Sequence, residues 1–100
     1  MTDDVELGVP AFAWRDRSRY VEIVPVRTGW LVVWGRYEEM GRRRLTLGNR
    51  IYRDVGGVRR RLVDAVVELT GNRQEAIDAL ALLDVRGLPA HSPQELPLPL

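Results

Sequence analysis

Residues 51–71, IYRDVGGVRRRLVDAVVELTG, carry the clearest periodicity in the chain and decide its fold class. Asp54 stands where a helix N-cap is needed, and Val55, Val58, Leu62, Ala65, Val66 and Leu69 follow at spacings of mostly three and four. That spacing sets six apolar side chains on one face of a helix that closes at Gly71. Arg59, Arg60 and Arg61 open the opposite, polar face. Such a helix must lay its stripe on something, and the chain before it supplies strands.

Residues 19–27, RYVEIVPVR, and 30–37, WLVVWGRY, read as two strands joined by Thr28-Gly29, a two-residue turn with Gly second. Setting Arg27 opposite Trp30 pairs Val26 with Leu31, Val24 with Val33 and Ile23 with Trp34. One face then carries Val21, Ile23, Pro25, Trp30, Val32 and Trp34. The other carries Tyr20, Val24, Val26, Leu31, Val33 and Tyr37. Both faces are apolar, so each needs a cover or a partner. Pro25 cannot donate to a ladder and belongs at an edge or a bulge.

After a loop at 38–41, residues 42–47 (RRRLTL) form a third strand. It places Arg43, Leu45 and Leu47 on one side and Arg42, Arg44 and Thr46 on the other. Gly48-Asn49 reads as a turn, with 50–53 pairing back as a short fourth strand. Residues 11–14, AFAW, add a strand or tuck under the sheet. Beyond Gly71, Asn72-Arg73-Gln74-Glu75 resembles a capping box and opens a second helix that buries Ala76, Ile77, Leu80, Leu83 and Ala79. The expected fold is α+β: an antiparallel three- to four-stranded meander, then two helices packed on one face, then an extended Pro-rich C-terminal tail. Residues 1–87 form one domain with a loose acidic arm at 1–10, and 88–100 are the tail, which holds four of the six prolines.

Composition narrows the chemistry. One hundred residues suffice for one domain with a core of its own. No Cys is present, which excludes disulfides, thiolate metal sites and Cys nucleophiles. All 15 basic residues are Arg, which excludes Schiff-base chemistry and a P-loop lysine. The net charge of +1 is unevenly spread: residues 15–61 hold 13 Arg against five acids, while both ends are acidic. That pattern suits a polyanion-binding face, or a face paired with its own acids. The N-terminal residues lack the apolar core of a signal peptide, and no run approaches a membrane span. A cytoplasmic protein without membrane contact is expected.

Catalysis finds little footing. His91 is the one His and lies in the tail, while Ser18 and Ser92 sit in no nucleophile-elbow pattern. Metal-ligand spacing and GxGxxG are absent, so no cofactor, no metal and no enzymatic activity are expected. Two binding surfaces remain. The first is for protein: an apolar sheet face and the tail, with Trp30, Trp34, Leu96, Leu98 and Leu100 as contact residues in a homodimer, an accessory subunit or an inhibitor. The second is for nucleic acid: Arg42, Arg43, Arg44, Arg59 and Arg60 on a strand and the following helix, with Trp30 or Trp34 to stack a base. Against each stands a plainer reading, core packing for the Trp pair and a solvated surface for the arginines.

Two resemblances accompany these residues. The run IVPVRTGWLVVWGRY, followed by a basic strand and an amphipathic helix, resembles small bacterial hairpin-and-helix proteins of unknown function. In outline it is also similar to the arm-type DNA-binding domains of tyrosine integrases, through Trp30, Gly41-Arg42-Arg43-Arg44 and the helix. That resemblance implies a three-stranded sheet entering a DNA groove with a helix behind it. The Gly56-Gly57 start and the second helix depart from the pattern. Residues 69–76, LTGNRQEA, resemble the first turn of a Fis-type helix-turn-helix, but residues 84–89, DVRGLP, cannot supply its recognition helix.

Overall fold

The computed structural model describes residues 10–38, 40 and 42–88. Four strands, β1 (Phe12–Asp16), β2 (Arg19–Val26), β3 (Gly29–Glu38) and β4 (Arg43–Tyr52), form one antiparallel sheet in sequence order. Two helices follow, α1 (Val55–Thr70) and α2 (Arg73–Arg86), antiparallel to each other and stacked on one sheet face. The α+β meander with two helices is therefore the fold. The segment AFAW contributes β1, and the Pro-rich tail lies outside the described residues.

The core is the layer between sheet and helices. Phe12, Val21, Ile23, Trp30 and Val32 from the sheet meet Val58, Leu62, Ala65 and Val66 of α1 and Ala76, Ala79 and Leu83 of α2. Each fully buried Val or Leu among them contributes roughly 1.5–3 kcal/mol relative to exposure. The α1 stripe is present from Val58 to Val66, with Leu69 packed at its margin, whereas Val55 faces solvent. Asp54 holds the N-cap position, but its side chain makes no capping hydrogen bond. At the far end Arg19 donates to the Leu69 carbonyl at 2.8 Å, placing a guanidinium on the negative end of the helix. The α2 cap forms as expected: Asn72 Oδ1 accepts from the Gln74 and Glu75 amides at 2.9 and 3.2 Å. In α2 the buried set is Ala76, Ala79 and Leu83; Ile77 is 48% exposed because its flank turns away from both α1 and the sheet.

Two glycines correct the strand reading. The β2–β3 turn is Arg27-Thr28, and the register pairs Val26 with Gly29, Val24 with Leu31 and Val21 with Trp34. Gly29 is the first residue of β3, at φ 150, where a Cβ would overlap the Tyr52 carbonyl oxygen of the adjoining strand. It permits close strand approach rather than making the turn. Likewise Gly48-Asn49 forms no turn. β4 runs through it as one strand, with a bulge opposite Trp34/Gly35 that leaves Leu47 outside the ladder. Gly48 lies beneath the Trp34 indole, which occupies the space a Cβ would need. Pro25 sits within β2 beyond the last β1 partner, Phe12 opposite Ile23, so its missing N–H faces a local edge.

Candidate functional site

The register assigns every sheet residue to a face. Opposite the helices lie Ala13 and Arg15 of β1, Tyr20, Glu22, Val24 and Val26 of β2, Leu31, Val33 and Tyr37 of β3, and Arg44, Thr46, Asn49 and Ile51 of β4. Among the described residues no element packs against this open face. For β2 and β3 the side-chain sets expected from strand alternation are those observed; in β4 they hold from Arg43 to Thr46, while Arg42 lies in the turn and Leu47 leaves the ladder at the bulge. The register moved by two residues in its pairing sum, and a shift of two preserves which residues share a face.

The open face has two halves. Toward the β2–β3 turn it is apolar: Val24 and Leu31 are paired, Leu31 faces Ile51, and Val26 and Val33 flank them. Val24 and Val33 are buried, Leu31 and Val26 half-buried, and Ile51 is 52% exposed at the margin. Toward the other end the face is polar and internally bonded. Glu22, 4% exposed, accepts from Arg44 Nη2 at 2.7 Å through Oε1 and from Arg15 Nη2 at 3.4 Å through Oε2. The Arg44 guanidinium lies 4.3 Å from the centroid of the buried Tyr20 ring. Tyr20 in turn tilts against Tyr37 at 5.1 Å and shares a 3.1 Å hydrogen bond with the Thr46 hydroxyl. Burial works against the Arg44 charge, but contact with the Tyr20 hydroxyl and the Glu22 carboxylate outweighs it and holds the guanidinium above its ordinary range.

The residues singled out from sequence do not assemble into one site. Trp30 lies in the core under the helices, and Trp34 is half-buried beneath Arg61, whose guanidinium stands 4.1 Å from the indole. Both tryptophans are thus on the helix side of the sheet, away from the open face. Leu96, Leu98 and Leu100 lie outside the described residues. Arg42 is in the turn before β4, Arg43 points to the helix side and Arg44 to the open side. Arg59 is ion-paired with Asp84 of α2, and Arg61 with Glu68 at 2.6 Å. Arg59 and Arg60 also line a groove between the helices, together with Gly56, Val63, Asp64 and Leu80. Sequence reasoning passed over Glu22, the one buried carboxylate on the described sheet. Its signal was there: an acid within an otherwise apolar strand, RYVEIVPV, two residues from Tyr20.

Among the described residues, no helix is long and apolar enough to cross a membrane, and no group of three or more side chains is placed to hold a metal ion. What the fold defines is a small α+β protein with one sheet face that no described element covers. Compared with protein-family models, with curated proteins and with solved structures, the chain finds no match in any of the three.

Proposed function

We propose that this is a non-enzymatic binding protein that acts through protein–protein contact, receiving an extended apolar segment on the open sheet face. The observation that carries the reading is the contiguous apolar patch of Val24, Val26, Leu31, Val33 and Ile51 on three adjacent strands, of which Val26, Leu31 and Ile51 keep accessible surface, with no described element packed on it. Apolar side chains on both faces of a sheet gain their full transfer free energy only when both faces are covered. The bonded Arg15–Glu22–Arg44 cluster bounds the patch on one side and gives it a polar rim. Residues 93–100, PQELPLPL, lie outside the described residues and have the chemistry of such a segment, with Leu96, Leu98 and Leu100 alternating with prolines. Supplied by a second copy the segment makes a homodimer; supplied by another protein it makes an accessory subunit or an inhibited complex.

A synthetic peptide of residues 89–100, titrated onto the chain ending at Leu88, tests this reading. Amide chemical-shift changes confined to Val24, Val26, Leu31, Val33 and Ile51, abolished by Leu31→Asp, support it. An unmoved face at millimolar peptide overturns it.

Nucleic-acid binding is the second reading. It is favoured by the exposed Arg17, Arg42 and Arg43, which stand at one end of the sheet, where the Tyr37 amide of β3 donates to the Ser18 carbonyl in the β1–β2 turn. It calls for salt-sensitive retention of DNA or RNA that weakens on Arg42→Ala with Arg43→Ala. No retention at low salt removes it.

A further inference from the structure

We propose that the outer edge of β4 is a pairing site for the acidic segment at residues 3–7 of a second copy of this chain. β4 is the last strand of the sheet, and among the described residues nothing pairs with its outer edge. Every residue of it is exposed or half-exposed. Past the bulge at Leu47, residues 48–52 run in regular register against β3, so every second residue among them turns an ordered backbone N–H and C=O to the outer edge.

Charge selects the occupant. From residue 42 to residue 53 the chain carries five Arg and no acid. Pairing β4 with the β4 of a second copy would bring one arginine set against the other, so the edge is built against self-pairing. It fits an extended acidic strand. The chain holds one such stretch, Asp3-Asp4-Val5-Glu6-Leu7, which lies outside the described residues. Its alternation also matches. On β4 the side chain of Arg50 lies on the helix side, while those of Asn49 and Ile51 lie on the open side. In an antiparallel added strand with Glu6 beside Arg50, Val5 falls beside Ile51 and Leu7 beside Asn49 on the open side, with Asp3 beside Arg53. That placement extends the Leu31–Ile51 apolar patch by one strand and covers the exposed flank of Ile51.

Reach decides that the segment comes from a second copy. Ala11 is held on β1 by its amide bond to the Ile23 carbonyl at 2.7 Å. The position beyond β4 is four strand spacings away, ~19 Å at ~4.8 Å each. Four steps of fully extended chain from Ala11 to Leu7 cover only ~14 Å. Within one copy the segment falls short, whereas two copies can exchange it reciprocally about a two-fold axis.

Light scattering of the full chain over a range of concentrations tests the inference. Expected is a species of twice the 11.4 kDa chain mass that returns to 11.4 kDa when residues 1–9 are removed. Arg50→Glu with Arg53→Glu weakens association at least tenfold, and adding Asp3→Arg with Glu6→Arg restores it. A full chain that stays monomeric to millimolar concentration overturns the inference, as does a dimer that survives removal of residues 1–9 or a charge swap that restores nothing. Carrying Leu31→Asp, which removes the open-face contact, through the same series tells a dimer made at β4 apart from one made through the open face.

Discussion

Gly56 and Gly57 are adjacent in the first turn of α1, and replacing each by Ala should change stability in opposite directions. Both replacements remove the same backbone freedom from the unfolded chain, which favours the helix by ~0.5–1 kcal/mol. At Gly56 nothing opposes that gain, because a Cβ would stand 3.5 Å from the Arg60 guanidinium and from the Asp54 carboxylate, ordinary contact distances. Gly57 is buried, and there a Cβ would stand 2.7 Å from Tyr52 Cδ1, 3.3 Å from its Cγ and 2.9 Å from Asp54 Oδ1. The Asp54 carboxylate can swing away. The Tyr52 ring is held opposite Trp30 in the ladder and would have to turn or lift the start of the helix. Overpacking of this kind costs about 1–3 kcal/mol, leaving Gly57→Ala net destabilising by ~1–2 kcal/mol. At ~4–8 °C per kcal/mol for a domain of this size, Gly56→Ala raises Tm by roughly 2–8 °C and Gly57→Ala lowers it by roughly 4–16 °C. Urea unfolding followed by far-UV circular dichroism, with thermal melts alongside, measures both. Equal stabilisation by the two replacements would refute the close packing of α1 on Tyr52.

Asn72→Ala removes the acceptor for the Gln74 and Glu75 amides and should lower stability by about 1 kcal/mol in the same assay; Asn72→Asp should retain most of it. Glu22→Gln leaves one acceptor oxygen for two guanidiniums. Since Arg15 and part of Arg44 can regain water, the expected loss is ~1–2 kcal/mol rather than the full penalty of an unpaired buried charge. A double-mutant cycle with Arg44→Gln should return a coupling of ~1 kcal/mol, and a coupling near zero would count against the bond in solution.

Much of the fold was legible because it rests on local period. The α1 stripe from Val58 to Val66 is set by 3.6-residue geometry, and the two faces of β2 and β3 by strict alternation. Alternation survives a register shift of two, so the open apolar face could be read correctly from a hairpin whose turn was placed one residue late. Ile77 was harder, because α2 carries apolar residues on both its inner and outer flanks, and periodicity then does not say which flank meets α1. The candidate site was less legible still. Trp30 and Trp34 have the residue type of a docking surface, but which face they occupied depended on where the helices came down. The Arg42–Arg44 triplet was split by alternation itself, and only the contact with Glu22, twenty-two residues away, tells Arg44 apart from its neighbours.

By itself the sequence determined the helices, the strand faces and the requirement for two covers on one sheet. Each of these follows from repeats that the backbone imposes over a few residues. Tertiary structure alone decided the meaning of the glycines. Gly29 and Gly48 carry the signature of hairpin turns, yet each is there because another part of the chain, the Tyr52 carbonyl or the Trp34 indole, occupies the place of its Cβ. A missing side chain looks the same in sequence whether it frees a turn or admits a neighbour, and the neighbour is known only once the chain has folded back upon itself.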